Sequence, residues 1–303
     1  MSSALQRVPD GARVAVIRLR SLGDCVLTTP ALHILKQSRP DLRVAVVVED
    51  RFAPVFEGNP DVDAVLPPDA SRLRDWGARL CLNLHGGTRS LWLTLASGAP
   101  LRAGFAHFRG ALAYNVRIPT AQEILGVDRT VHTAEHVASA MFHLGADRRE
   151  IPRARLFAAP APAARPYAVI HPFASAPDRA WTAAGFLAVA AHLRQACDLE
   201  PVFIGAPGDD FSPFQNYRRM AGAPLAEVKP LLAGASLFAG NDSGPAHMAA
   251  AFGVPAVVIF GPTDPRIWGP FRTTSEVVKA RGPIQSVGVE EVIEALARLR
   301  VAA

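Results

Sequence analysis

Residues able to hold an anion or move a proton gather at two places in this 303-residue chain. The first is 237-LFAGNDSGPAHMAAAFGVPAVVIFGPTDP-265, which reads as strand, turn, helix and strand. Asp242 or Ser243 suits a helix N-cap, Gly244 admits close backbone approach, and Pro245 fits the first helical turn, where a missing N–H costs nothing. Free amides at such a helix start, aligned with the helix dipole, favour phosphate or another anion. His247, one turn further on, could add a donor. The same residues would serve equally as the cap of a purely structural helix with His247 packed beside it. The second place is the turn 18-RLRSLGD-24, where Asp24 follows Gly23 at another helix start. A carboxylate there is a favourable cap, and beside a bound substrate it could instead take a proton from a hydroxyl. Asp209 and Asp210 follow Gly205 and Gly208; their carboxylates could accept from ribose hydroxyls or lie in a solvated turn.

Other chemistries lack their motifs. The turn at 18–24 has no GxGxxG, and the chain has no GxxxxGK[ST], so neither the dinucleotide fingerprint nor the P-loop is present. Asp61 and Asp63 spell DxD, a pattern that holds a divalent metal in some sugar-transferring enzymes. Here they lead directly into the apolar run 64–66 and read as a strand-entry loop. Cys25, Cys81 and Cys197 are far apart, with no CxxC or His/Cys cluster, so neither a disulfide framework nor a metal site is expected.

These residues need a scaffold, and the hydrophobic pattern supplies one. Continuous apolar runs at 14–17, 44–48, 64–66 and 80–84 alternate with helical spacing at 25–37, 90–96 and 132–144. Strands of that kind belong to a parallel sheet covered on both faces. A Pro- and Ala-rich stretch, 158-AAPAPAARP-166, reads as a linker. The pattern then restarts with strands at 167–170, 202–204, 235–239 and 254–260 and helices at 182–196, 225–232 and 289–299. The expected organisation is an N-terminal domain at 1–157, the linker at 158–166 and a C-terminal domain at 167–303, with the last helix a candidate to pack back on the first domain. Two doubly wound domains would set their loops, Asp24 and Asp242 included, across a shared cleft.

The net charge of +5 is carried almost wholly by arginine, since Lys36, Lys229 and Lys279 are the only lysines. Arginine suits phosphate and carboxylate recognition, which fits an anionic substrate or peripheral contact with a membrane surface. A dense basic run, an aromatic platform and zinc-finger spacing are all missing, so nucleic acid is not an expected partner. No apolar run reaches the ~20 residues of a membrane-spanning helix, and the first residues lack a signal-peptide pattern, so the expected location is cytoplasmic.

Three separated motifs, VAVIRLRSLGDCVLTTPALHILK, HPFASAPDRAWTAAGF and GNDSGPAHMAAAFGVPAVVIFGPTDP, stand in order along the chain. Together the sequence resembles glycosyltransferase family nine, the ADP-heptose:lipopolysaccharide heptosyltransferases. The resemblance implies an α/β GT-B fold of two Rossmann-like domains, the N-terminal one at 1–157 binding the acceptor and the C-terminal one at 167–303 binding the nucleotide-sugar donor. It also implies transfer of heptose from ADP-heptose to the lipopolysaccharide inner core, with inversion and without an essential metal or other cofactor. By the same resemblance the catalytic base falls on Asp24, with Ser21 and Gly23 in the same acceptor-side turn. The donor-diphosphate loop falls on Asp242, Ser243, Gly244 and His247, and Asp209 joins the donor side. The central motif's small hydroxyl positions fall on Ala174 and Ser175, so one hydroxyl is missing. A lysine frequent in the family falls on Arg179, which keeps charge but not geometry. Acceptor-side basic positions fall on Arg109 and His136, the latter an arginine in a well-studied branch. A different sugar donor or acceptor, an inactive nucleotide-sugar-binding protein and an epimerase of the same fold are the alternatives.

Overall fold

Runs of β-branched residues become the inner strands of two parallel sheets in the computed structural model, which describes residues 2–299. The chain divides into two units, Met1–Leu156 and Phe157–Ala303. The first unit runs β1 (Arg13–Ile17), α1 (Leu22–Val26), α2 (Thr29–Ser38), β2 (Arg43–Val47), β3 (Ala64–Leu66), α3 (Ala70–Trp76), β4 (Leu80–Asn83), α4 (Thr88–Ala96), β5 (Leu101–Phe105), β6 (Val116–Ile118), α5 (Ala121–Leu125) and α6 (Thr133–Leu144). Its sheet has the order β3-β2-β1-β4-β5-β6. The inner strands pair in parallel, with Val14 opposite both Val44 and Leu80. Both faces of β1 are buried, which is why its residues need not alternate with polar ones.

The second unit repeats the plan. It runs β7 (Tyr167–His171), α7 (Ala183–Ala196), β8 (Glu200–Gly205), β9 (Arg218–Ala221), α8 (Leu225–Ala233), β10 (Leu237–Asn241), α9 (Gly244–Phe252), β11 (Ala256–Phe260), α10 (Pro265–Trp268), β12 (Ser275–Lys279) and α11 (Val289–Arg298). The order β12-β11-β10-β7-β8-β9 is the first sheet's order read from the other edge, so both are doubly wound α/β sheets. Each reverses its winding between its first and fourth strands, β1 beside β4 and β7 beside β10. A doubly wound sheet opens a ligand crevice at that point. The core here is Ile170, Trp181, Phe186, Phe203, Phe214 and Ile259 with their neighbours, and α11 packs on β11, β12 and α7.

Two local features differ from the pattern. The single helix expected over 25–37 is two helices, because Pro30 cannot donate inside a helix and instead occupies the first turn of α2. Residues 158–166 are not a free spacer: Ala161 N–H donates to the Pro230 carbonyl (2.9 Å), so the stretch is tied to α8. Among the described residues no helix is long and apolar enough to cross a membrane.

Candidate functional site

At the switch point of the first unit, β1 ends at Ile17 and the chain turns through Arg18–Ser21 into α1. Asp24 stands in the first turn of α1 with its side chain about a quarter exposed. Its Oδ2 accepts from the Ser21 hydroxyl (3.0 Å) and backbone N–H (3.4 Å), and Oδ1 accepts from Arg18 Nη1 (3.4 Å). Arg18 is buried, and its Nε donates to Thr28 Oγ1 (3.1 Å), whose hydroxyl donates to the Asp24 carbonyl (2.8 Å). Burial pushes the Arg18 pKa down while Asp24 pulls it up. The carboxylate is therefore fixed from two sides, and with about four lone-pair sites it keeps room for one more donor. Gly23 is buried beneath the same turn.

The fourth strand brings a second side to this point. Asn83, fully buried at the end of β4, accepts from the N–H groups of His85 and Gly86 (3.0 Å each). Its Nδ2 donates to Thr94 Oγ1 (3.1 Å) and the Tyr114 hydroxyl (3.0 Å). His85 lies within the fields of Arg18, Asp24 and Arg20, its ring bonded to the Arg20 backbone, and burial chiefly pushes its pKa down. Its Nδ1 is buried without a hydrogen-bond partner. His85 opens a His-Gly-Gly at the end of the apolar run 80–84, a local signal that by type and spacing alone does not mark a site.

Of the two acceptor-side candidates, Arg109 is exposed on the loop after β5, while the His136 ring stacks on Phe105 at 4.2 Å, with His107 at 5.5 Å. Burial first, then His107 and Arg18, lowers its pKa to about 4. His136 is thus a neutral aromatic surface at neutral pH, which departs from the basic character expected for that position.

At the second unit's switch point the long loop after β7 meets the turn between β10 and α9. Asn241, fully buried at the end of β10, accepts from Trp181 N–H (3.0 Å) and donates to the Pro172 carbonyl (2.9 Å), stapling both ends of the loop. Gln285 Nε2 donates to the carbonyls of Pro177 (2.8 Å) and Ala180 (2.9 Å). The loop also presses on β11's end, where a Cβ at Gly261 would sit 2.6 Å from the Asp178 carbonyl oxygen. This packing holds Arg179 where its charge reaches Asp242. The Asp242 carboxylate accepts from Thr263 Oγ1 (2.6 Å), and burial raises its pKa against the opposing pull of Thr263 and Arg179.

Ser243 is the N-cap residue of α9, yet no side chain caps this helix, and the Ser243 Oγ is buried with no hydrogen-bond partner. Pro245 stands in the first turn, so the amides of Gly244 and Ala246 are the donors that the helix start presents. Gly244 is not among the glycines with positive φ, so what glycine contributes there is the missing Cβ. His247 is buried on α9. Ser175 is exposed on the β7 loop. Asp209 stands after β8, where its Oδ2 accepts from Ala206 N–H (2.6 Å), leaving it other lone pairs for a ribose. The structure thus brings together Arg179, Asp242, Ser243 and Gly244 in one unit and Ser21, Gly23 and Asp24 in the other. Asp61, paired with His33 and Arg155, and Asp63, paired with Lys36, serve their own unit's framework. Among the described residues, no group of three or more His, Cys, Asp or Glu could hold a metal ion.

Residues 70–293 match the family model described as Glycosyltransferase family 9 (heptosyltransferase). Lipopolysaccharide heptosyltransferase 1 of Escherichia coli K12 is 26% identical, the match covering 95% of this chain and all of the relative. A glycosyl transferase family 9 crystal structure from Veillonella parvula superposes with a TM-score of 0.82 at 21% identity, over 96% of this chain and 97% of the other. An E. coli heptosyltransferase solved with ADP superposes with a TM-score of 0.77 at 20% identity, over 95% and 99%.

Proposed function

This chain belongs to glycosyltransferase family 9, and from that premise we propose that it transfers heptose from ADP-heptose to an inner-core acceptor of lipopolysaccharide, with inversion, on the cytoplasmic side of the membrane. Asp24 takes the proton from the acceptor hydroxyl as that oxygen attacks the anomeric carbon. The bond to the ADP oxygen breaks, and the charge that develops on the diphosphate meets the amides of Gly244 and Ala246 and the Arg179 guanidinium. Ser243 and Ser175 offer hydroxyl donors, and Asp209 accepts from the ribose. Arg179 stands where the family often has lysine; its place beside Asp242 keeps a cation at the leaving group. The proposed reaction is metal-independent, as the resemblance to the family implies.

The observation that carries this reading is the uncapped start of α9 beside Arg179, with the Ser243 hydroxyl buried and unspent. The neutral His136 on Phe105 favours a second reading within the family: an acceptor that presents a sugar face rather than an anion to that position. The test is incubation with ADP-heptose and deacylated inner-core acceptors, phosphorylated and unphosphorylated, with chelator present, followed by mass spectrometry. A heptosylated product plus ADP is expected. Thermal stabilisation by ADP without any turnover would make the chain a binding protein instead, and loss of transfer in chelator would overturn the metal-free reaction.

A further inference from the structure

Four large hydrophobic side chains are exposed among the described residues, and three of them belong to one region of the first unit. Trp92 (58% exposed) and Leu95 (48%) lie three apart on α4, and Leu112 (84%) lies on the loop between β5 and β6. The loop is laid against the helix: a Cβ at Gly110 would sit 2.5 Å from Leu91 Cδ2. It is also braced from below, since Arg102 donates from Nε to the Ala113 carbonyl (3.3 Å) and from Nη1 to the Ala99 carbonyl (3.1 Å). Leu112 is therefore held out on an ordered loop, at a cost in exposed apolar surface that the fold gains nothing from.

The segment of chain that carries this apolar surface has charge of one sign. From Gly77 to Gln122 the chain has no Asp or Glu and five arginines, Arg79, Arg89, Arg102, Arg109 and Arg117, a balance of +5 that equals that of the whole protein. The rest of the chain is neutral on balance, so the excess sits in the segment that displays Trp92, Leu95 and Leu112. Arg109, next to Gly110, is exposed, and Arg89 reaches Glu49 at 3.4 Å with its side chain still 59% exposed. A tryptophan with two leucines amid arginines, and no carboxylate in the segment, complements a surface that is apolar beneath and negative above.

We propose that α4 and the loop carrying Leu112 form the surface by which this protein binds an anionic lipid bilayer. Trp92, Leu95 and Leu112 enter the headgroup–acyl boundary, and the arginines meet the anionic headgroups. The inference is independent of which sugar or acceptor the enzyme uses.

The test is co-sedimentation of the full chain with acceptor-free vesicles of phosphatidylcholine, alone or mixed with phosphatidylglycerol, at low and high salt. Binding to the anionic vesicles should be on the order of tenfold stronger than to the neutral ones and should weaken with salt. The triple variant Trp92→Ser/Leu95→Ser/Leu112→Ser should lose about tenfold at an unchanged melting temperature. Leu112→Ser alone, at the most exposed position, should show part of that loss whatever the triple variant does to folding. In Trp92→Phe, binding should persist while fluorescence quenching by brominated lipid falls sharply. Binding of Leu112→Ser and the triple variant equal to that of the native chain would overturn the proposal. So would equal affinity for both vesicle types. A native chain that dimerises, in which Leu112→Ser is monomeric, would identify a second copy as the occupant and would equally overturn it.

Discussion

The two switch points share a strand order and a buried asparagine at the end of the fourth strand, yet they are equipped for opposite charges. In the first unit four residues separate β1 from α1, and the helix opens on Asp24, a carboxylate that repels an anion and is braced by Arg18. In the second unit the fourth strand feeds α9, whose start has no side-chain cap, with Arg179 brought alongside by a long loop. Asn83 spends its side chain on its own loop and on Tyr114, while Asn241 spends its on the neighbouring loop. In the proposed reaction, one topology thus yields a place for a fixed base and a place for a departing anion. The difference lies in what caps the helix and in which loop the asparagine holds.

The largest expected effect tests the first half of that contrast. Asp24→Asn keeps the bonds to Ser21 within reach but cannot take a proton, so turnover should fall on the order of 10²-fold or more. ADP affinity, measured by calorimetry, should stay within a few-fold. Turnover close to native would remove the base from the first unit. Next come the asparagines. Asn83→Ala and Asn241→Ala each strand buried donors and acceptors and should each lower stability by about 1–3 kcal/mol in denaturant unfolding. Only Asn241→Ala should also weaken ADP binding, because only it releases the loop that carries Arg179. If Asn83→Ala weakened ADP as much, the assignment of the two roles to two units would fail.

A smaller effect separates the backbone from the side chain at α9. Close approach to the amides depends on the bare Gly244, so Gly244→Val should weaken ADP by about tenfold or more, and Ser243→Ala by less. ADP should bind far better than adenosine, with the gap narrowing as salt rises. Equal affinity for both nucleotides would reduce the start of α9 to an ordinary structural helix end.

Much of this framework was readable from residue order, for a physical reason. Inner strands of a parallel sheet are buried on both faces, so β1, β2 and β11 appear as nearly unbroken apolar runs, and the 64–66 run coincides with the half-buried edge strand β3. The edge and near-edge strands β5, β6, β9 and β12 went unseen: β9 is Arg-Arg-Met-Ala and β12 alternates poorly, since an edge strand has too little burial to impose a pattern. The short helices α3, α5 and α10 fall below the length at which periodicity registers. At the site, Asp24 and the 242–247 turn were visible because caps and close-approach glycines are local signals. Asn83, Thr263 and Gln285 were not, because partners of theirs 21 to 108 residues away come near only when the sheets close. His136 was read by its kind and not by its surroundings, and stacking on Phe105 changes its charge.

The smallest expected effect concerns something the two units share. Each holds a histidine near its switch point, His136 half-buried and His171 buried, and desolvation lowers both from 6.5 to about 4. Between those values the unfolded chain binds the proton and the folded one does not. The stability these rings contribute is therefore present above the ordinary value of 6.5 and is lost as pH falls towards about 4. His136→Phe retains an aromatic face against Phe105 and cannot be protonated, so it should remove one of the two contributions. Its melting temperature should fall less than the native protein's between about pH 7 and about pH 5, by an amount on the order of 1 kcal/mol in stability. At about pH 7 the two proteins should unfold at similar temperatures, because both rings are neutral there. A variant whose melting temperature falls as steeply as the native protein's would mean that His136 titrates alike folded and unfolded. The ring would then be charged in the folded protein at mildly acidic pH, and the first unit would offer an acceptor anion a cation where the stacking on Phe105 argues for a neutral face.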